Sequence, residues 1–373
     1  MTNNNSSNSL VKLMLMLLAL PFFAQRMEAQ QVSLRDAFQD KFLIGTAINM
    51  WQVRQGGEKM HNLIKKQYSA VVAENCMKAE AVQPIENIFN FKDGDDLIEF
   101  AKRNNQVVTG HCLIWHSQTP TWFFTNDKGV QVDRETMIDR MRKHIYTVVG
   151  HFKGKVKGWD VVNEAIEQDG SLRRSKFYDI IGEDYIRLAF QFAHEADPDA
   201  ELYYNDYSMD NPAKREATIR LIRDLKKHGL RIDAIGMQSH LGLDTNLKQY
   251  EQSIEAYAKE GVKVMATELE VSVLPWPSDQ QTAEISTNFA YQEMLNPFKN
   301  GITAEMQTKQ DKFMVELFKI YKKHSKDITR ITFWGVSDGD SWKNDFPIKG
   351  RTDYPLPFGR DLEAKPWVKK IID

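Results

Sequence analysis

The chain has 373 residues, of which 42% are apolar and 27% are charged, and its formal net charge is −2. These values describe a globular protein with a sizeable core, and the near-neutral charge balance gives no reason to expect nucleic acid as a partner. The length permits one large domain or two modest ones, so the order of the predicted elements decides between them.

The N-terminal segment has the pattern of a secretory signal peptide. Lys12 precedes an apolar run over residues 13–23, and the small residues Ala24 and Ala29 follow. The run is too short to cross a bilayer comfortably, which favours a cleaved signal over a membrane anchor. We therefore predict that residues 1–29 are a signal peptide and that the mature protein is secreted or periplasmic, with no membrane segment.

Beyond residue 29, short apolar runs alternate with longer amphipathic segments. The runs are rich in Val, Ile and aromatic residues and lack strict alternation, which is typical of parallel strands covered on both faces. The eight predicted strands are residues 42–49, 70–78, 107–115, 156–164, 201–207, 234–241, 263–271 and 328–337.

Helices are predicted between the strands, where apolar residues recur at a spacing of three to four. They cover residues 93–102, 135–152, 183–196, 213–228, 310–323 and 366–372, and the fourth of them ends before Gly229, a common C-terminal residue. A long segment over residues 274–301 is predicted to be a loop.

The alternation predicts the fold. Eight strand–helix alternations without a composition shift indicate a single-domain α/β protein, a (β/α)8 TIM barrel over residues 30–373. A doubly wound open sheet is less favoured, because the sequence has no glycine-rich dinucleotide-binding turn after an early strand.

Seven of the eight predicted strands end in polar or aromatic residues. The ends read ENCMK at 74–78, HCLIWHSQ at 111–118, NE at 163–164, NDY at 205–207, QSH at 238–240, TELE at 267–270 and WGVSD at 334–338. Such groups are costly to bury, and the carboxyl ends of barrel strands meet at one mouth. We therefore expect a functional site there.

Glu164 and Glu268 are the strongest candidate catalytic pair. Two carboxylates across a barrel mouth suit glycoside hydrolysis, in which one acts as acid and the other as nucleophile or base. Carboxyl groups about 5 Å apart would predict retention of configuration, and a wider gap would predict inversion. Close carboxylates cannot both ionise easily, so one of the two is expected to keep its proton near neutral pH.

Metal-dependent hydrolysis is the main chemical alternative, because His111, His116 and His240 also lie at strand ends. The spacing of these histidines matches no HxH or HExxH motif, and the Trp, Gln and Asn residues around them suit sugar hydroxyls better than a metal. We predict neither a metal nor an organic cofactor. A noncatalytic sugar-binding barrel would need the aromatic rings but not the paired acids.

Seven motifs in order resemble glycoside hydrolase family ten, the endo-β-1,4-xylanases. They are ENxMKxE at 74–80, GHxLxWHSQxPxW at 110–122, WDVVNEA at 159–165, YYNDY at 203–207, GMQSHL at 236–241, TELE at 267–270 and WGVSDGDSW at 334–342. The resemblance extends from about Lys41 to Trp367, which is nearly the whole mature chain.

The resemblance implies a retaining double displacement with Glu164 as general acid/base and Glu268 as nucleophile. The substrate-binding residues that it implies are Glu74, Asn75, Lys78, His111, Trp115, Gln118, Asn163, Tyr207, Gln238, His240, Trp334 and Trp342. The Asn163 amide would bond the 2-hydroxyl of the sugar, and Gln118 and Trp342 would crowd out the hydroxymethyl group of a hexose.

The partners that the resemblance implies are xylan and xylo-oligosaccharides, and we expect a monomer. Two alternatives stay open. The same barrel could act mainly on xylosides, arabinosides or cello-oligosaccharides, or it could bind xylan without cleaving it.

Glu270 departs from the family pattern, which usually reads TELD. The family's Asp bonds the motif histidine, which in turn touches the nucleophile. With one more methylene, a Glu270–His240–Glu268 chain could form with shifted geometry, or Glu270 could be a plain substitution behind the site. The sequence leaves both interpretations open.

Overall fold

Eight parallel strands close into a barrel in this computed structural model, which describes residues 32–275 and 294–373. The strands in these residues are β1 (Leu43–Ile48), β2 (Ala70–Ala73), β3 (Val107–Trp115), β4 (Gly158–Asn163), β5 (Glu201–Asp206), β6 (Ala234–Met237), β7 (His240–Gly242), β8 (Lys263–Ser272) and β9 (Ile328–Phe333). The sheet order is β6-β5-β4-β3-β2-β1-β9-β8, and pairing of β6 with β8 closes it. The short β7 prolongs β6 along β8 after an interruption at Gln238 and Ser239.

Helices connect the strands. Those in the described residues are α1 (Leu34–Ala37), α2 (Met50–Gln55), α3 (Gly57–Gln67), α4 (Ala79–Val82), α5 (Lys92–Arg103), α6 (Arg134–His151), α7 (Lys176–Ile181), α8 (Tyr185–Ala196), α9 (Pro212–Lys227), α10 (Leu247–Lys259), α11 (Ala304–Lys323) and α12 (Pro366–Ile372), with 3-10 turns at Thr121–Phe123 and Asp338–Asp340. The predicted (β/α)8 barrel is confirmed.

The strands are buried on both faces, as their composition predicts. Every residue of β4 is buried, and so is every residue of β2. Trp159 in β4 is 1% exposed and lies against Gly110 of β3, where a Cβ atom would come within 2.2 Å of the indole ring. Glycine at this position therefore gives the largest core side chain of β4 its space.

Helix boundaries differ from the predicted ones mainly where the apolar pattern is thin. α11 begins at Ala304 rather than Gln310, because the Thr303 side chain accepts a hydrogen bond from the Met306 amide and caps a polar first turn. α3 and α10 were not predicted. α3 buries only Met60 and Ile64, which leaves a narrow apolar stripe in a polar sequence.

Strands β2 and β9 end several residues earlier than predicted. β2 ends at Ala73 and β9 at Phe333, so residues 74–78 and 334–337 lie in the loops that follow. The predicted signal peptide lies outside the described residues, as does most of the predicted loop over residues 274–301. Among the described residues, no helix combines the length and the apolar character needed to cross a membrane.

Candidate active site

Strand register brings the polar strand ends to one level of the barrel mouth. Trp115 of β3 pairs with Asn163 of β4, which pairs with Asn205 of β5. The chain then turns out of β4 at Glu164, which has a positive φ of 57°. This conformation is uncommon for residues other than glycine and is concentrated at functional sites.

Glu164 receives hydrogen bonds from three uncharged donors. Trp115 Nε1 donates to Oε2 over 2.8 Å, while Gln238 Nε2 and Asn163 Nδ2 donate to Oε1 over 3.0 and 3.3 Å. The backbone oxygen of Glu164 accepts from Arg173 Nε over 2.9 Å. The Glu164 side chain remains 15% exposed, so it is fixed in orientation but open to the mouth.

Glu268 lies in β8 and is 5% exposed. Its Oε1 accepts a hydrogen bond from Asn205 Nδ2 over 2.8 Å, and its Oε2 lies 3.1 Å from His240 Nε2. Burial raises the pKa of Glu268, but the hydrogen bond and charge of His240 outweigh it, so the pKa lies below its ordinary value. Glu268 is therefore held in the form that can attack.

Three amides link the two carboxylates. Asn163 Oδ1 accepts from Asn205 Nδ2 over 2.9 Å and from Gln238 Nε2 over 3.3 Å. Because Asn205 also bonds Glu268 and Gln238 also bonds Glu164, one continuous network positions both acids. Asn205 was not among the predicted site residues, although its place at the end of a predicted strand was a usable signal.

His240 lies between Glu268 and Glu270, with its Nδ1 2.6 Å from Glu270 Oε1. Of the two interpretations that the sequence leaves open, the structure shows the Glu270–His240–Glu268 chain, which forms despite the longer side chain. Burial lowers the pKa of His240, but the two carboxylates outweigh it and raise the pKa to about 9. At neutral pH the ring is an imidazolium that donates to both glutamates.

A second polar group surrounds Lys78, which is 7% exposed. Its ammonium donates to Asn75 Oδ1 over 3.0 Å and to Gln118 Oε1 over 2.8 Å, and it lies 4.9 Å from the centre of the Trp115 ring. Glu74 follows β2, where its Oε2 accepts from Asn49 over 3.2 Å. Burial raises the pKa of Glu74.

The remaining predicted residues complete the wall of the mouth. His111 Nδ1 lies 2.9 Å from Asp160 Oδ2, and its ring meets Trp334 edge-on at 5.3 Å. Trp342 is 37% exposed and lies 5.7 Å from the His240 ring. Tyr207 accepts a hydrogen bond from Arg173 over 2.8 Å. Sequence reasoning missed Asp160 and Arg173, whose contacts only the fold reveals.

The three histidines at strand ends do not converge. His111 pairs with Asp160, His116 lies 4.0 Å from Glu164, and His240 lies between Glu268 and Glu270. Asp206, at the end of β5, is fully buried against Lys214, with 2.7 Å between Oδ1 and Nζ. Burial raises its pKa to about 6, although Lys214 and Tyr204 oppose the rise.

The barrel mouth holds two carboxylates positioned by amides, with indole rings beside them. This arrangement is typical of the active site of a glycoside hydrolase. A model of glycosyl hydrolase family 10 matches residues 33–373. The chain belongs to this family.

Curated relatives agree with the assignment. The chain is 50% identical over 359 residues to endo-1,4-beta-xylanase A of Xylanibacter ruminicola, with 96% of each chain covered. It is 38% identical over 349 residues to endo-1,4-beta-xylanase B of Paenibacillus barcinonensis, covering 93% of this chain and 99% of the relative. It is 41% identical to endo-1,4-beta-xylanase A of Thermotoga maritima, of which it covers 30%, with 91% of this chain aligned.

Solved structures share the fold over most of the chain. A GH10 endoxylanase from sugarcane soil metagenome superposes with a TM-score of 0.85 at 38% identity, covering 92% of this chain and 99% of the other. Xylanase XynB from Paenibacillus barcinonensis, in complex with a conduramine derivative, gives 0.82 at 38% identity over 92% and 98%. A mutant protein in complex with xylotriose gives 0.82 at 34% identity over 92% and 99%.

Proposed function

We propose that the protein is an endo-1,4-β-xylanase that cleaves internal bonds of xylan with retention of configuration, using Glu164 as general acid/base and Glu268 as nucleophile. The observation that carries the role assignment is the difference between their donors. Glu268 is bonded by a charged imidazolium, whereas Glu164 is bonded by an indole and two amides. Charge beside Glu268 favours its carboxylate.

The reaction follows as a double displacement. Glu164 gives its proton to the glycosidic oxygen while Glu268 attacks the anomeric carbon, so the C–O bond to the leaving sugar breaks and a glycosyl ester forms. Glu164, now ionised, takes a proton from water, whose oxygen attacks the same carbon and releases Glu268. Proton and bond changes balance over the two steps, and no cofactor takes part.

The neighbouring residues supply binding. The Asn163 amide is proposed to bond the sugar 2-hydroxyl, and Trp334 and Trp342 offer the ring faces on which sugars stack. Gln118, held by Lys78, and Trp342 are proposed to fill the space that a hexose hydroxymethyl group would need, which favours xylose units by exclusion.

Cleavage inside a polymer needs binding space beyond the cleaved bond. A pocket of about 400 Å³ opens next to His116 and Arg173 and extends along Arg174 and Lys176. Arg173 also bonds the Glu164 backbone and Tyr207, so this pocket adjoins the acid/base residue. We assign this pocket to the part of the xylan polymer that leaves after cleavage.

Initial rates on xylan and on a soluble cellulose test the substrate assignment. We expect reducing sugar from xylan far faster than from cellulose, with intermediate oligosaccharides among the early products. Faster hydrolysis of cello-oligosaccharides, arabinosides or aryl xylosides would favour the same barrel with another substrate. Binding of xylan without any release of reducing sugar would favour a barrel that binds but does not cleave. The double variant Glu164→Gln/Glu268→Gln provides the inactive reference.

We also propose that residues 1–29 direct export and that the mature protein is a monomer. The support for export is the basic residue and apolar run near the N terminus. The mass of the protein recovered outside the cytoplasm checks cleavage, and its size in solution checks the monomer. An uncleaved chain inside the cell would contradict the export proposal.

A further inference from the structure

Lys343 is a buried lysine beside the active site that the reaction itself does not use. It is 4% exposed, and its Nζ lies 2.9 Å from Glu270 Oε1. We propose that Lys343 is a positioning residue for hydrolysis, which acts on the nucleophile Glu268 through Glu270 and His240. This inference rests on the proposed function of the site.

Three donors converge on one oxygen of Glu270. His240 Nδ1 lies 2.6 Å from Oε1, Trp342 Nε1 donates to it over 2.8 Å, and Lys343 completes the set. Glu270 is 0% exposed and therefore has no access to bulk water. One carboxylate thus fixes the imidazole that touches the nucleophile and the indole that borders the substrate.

The charge count explains the need for a lysine. Glu268 and Glu270 carry two negative charges at the active pH, and His240 supplies one positive charge. Without Lys343, these three side chains would hold one negative charge more than positive ones, which favours protonation of a carboxylate. Counted over these described residues, Lys343 supplies the second positive charge. A buried ion pair is weak evidence of stabilisation. The more informative feature is that the Lys343–Glu270 pair lies beside His240, which contacts the nucleophile.

The titration of the cluster agrees with this geometry. Burial raises the pKa of Glu270, but Lys343 and His240 outweigh it and bring the pKa to about 2. Among the described residues, two further titratable groups near the cluster are His111, whose charge lowers the pKa of Glu268, and Asp160, which bonds His111. Within this part of the chain, the cations that bond Glu270 are Lys343 and His240.

Loss of the lysine charge has a predictable sign. Removing a positive charge raises the pKa of nearby carboxylates, so Glu268 would become protonated at a higher pH. In Lys343→Met, we expect the acidic midpoint of the kcat/KM profile on a xylo-oligosaccharide to rise by about 0.5–1 pH unit. Below that midpoint kcat should fall several-fold, while KM stays nearly unchanged, because Lys343 is buried with its ammonium directed at Glu270.

Lys365→Met is the matched control. Lys365 is also buried, at 8% exposure, and also lies 2.9 Å from a carboxylate oxygen, in this case Asp338 Oδ1. It has no contact with His240 or Glu270 among the described residues. This variant loses an equivalent buried ion pair, so it should lose thermal stability without moving the acidic midpoint.

Two further variants separate charge from folding. Lys343→Gln keeps an N–H donor for Glu270 and should fold even if the Met variant does not, and its midpoint should rise. Lys343→Arg keeps the charge, and its midpoint should stay near that of the wild type. The inference is overturned if Lys343→Gln keeps the wild-type profile or if Lys365→Met shifts it equally. Failure of the wild type itself to cleave xylan would contradict the proposed function instead.

Discussion

At the scale of single residues, the amide of Asn205 holds the two halves of the site together. It donates to Glu268 and to Asn163, and its own Oδ1 accepts from Thr267 over 2.5 Å. The residue is 0% exposed, so no water can replace these contacts without a change in packing. Its role is to orient groups that touch the substrate rather than to touch it.

We predict that Asn205→Ala lowers kcat about 10- to 100-fold, since a hydrogen bond to a charged group is worth about 1.5–3 kcal/mol. Glu268 would lose a donor that fixes its carboxylate, and Asn163 would lose its own orientation. Steady-state kinetics on xylohexaose, read together with the melting temperature, provide the check. A variant that keeps wild-type kcat would show that the amide network does not position the acids.

The sequence predicts some of these residues and not others for a physical reason. Glu164 and Glu268 stand out because a carboxylate after a buried strand is costly unless it lies at an open end. Lys343 and Asp160 carry no such signal, because lysine in a loop and aspartate in a strand have many ordinary explanations. Their partners are distant in the sequence, so only the folded chain identifies them.

At the scale of elements, β6 makes room for this network at one glycine. A Cβ atom on Gly236 would lie 2.4 Å from Asn205 Oδ1 and 2.9 Å from the Thr267 methyl group. Both distances are shorter than van der Waals contact, so either the strand or Asn205 would have to move. The close packing of β5, β6 and β8 at this level therefore depends on glycine.

We predict that Gly236→Ala lowers kcat more than it lowers substrate affinity, because it displaces the Asn205 amide from Glu268. Gly150→Ala is the control, since Gly150 lies within α6 and a Cβ atom there meets nothing within 4 Å. Kinetics of the two variants, with circular dichroism to verify folding, test the prediction. Equal activity in both would mean that β6 tolerates the extra methyl group.

The types of the elements could be predicted from the sequence where the apolar pattern was strong. The order of the strands in the barrel could be predicted as well. α6 and α9 match their predicted bounds within one residue at each end. α3 was missed because its buried stripe is narrow, and β7 could not be separated from β6. The break between them at Gln238 and Ser239 follows from Ser239, whose φ of 68° no apolar pattern encodes.

At the scale of the whole molecule, the charged cluster behind Glu268 ties stability to pH. The pKa of Glu270 falls from its ordinary 4.5 to about 2, so its contribution to stability is present above pH 4.5 and is lost as the pH falls toward 2. The pKa of His240 rises from 6.5 to about 9, so its contribution is present below pH 6.5 and is lost as the pH rises through 9.

We predict that the free energy of unfolding contributed by this cluster is greatest between about pH 4.5 and 6.5. Urea unfolding at intervals from pH 3 to pH 9 measures it. In His240→Asn, the decline between pH 6.5 and 9 should become shallower, because no imidazolium is lost there. An alkaline decline identical to that of the wild type would contradict the role given to His240.

In the proposed reaction, Glu268 attacks the sugar and Glu164 transfers the proton. The most direct test of these roles is the configuration of the glycosyl azide formed when each alanine variant cleaves an activated aryl xylobioside in the presence of azide. In Glu268→Ala, azide replaces the nucleophile and should give the α-azide by a single inversion. In Glu164→Ala, azide replaces the water of the second step and should give the β-azide after two inversions. Proton NMR of the products reads the outcome, and the opposite assignment, or unimpaired hydrolysis by Glu268→Ala without azide, would contradict the account.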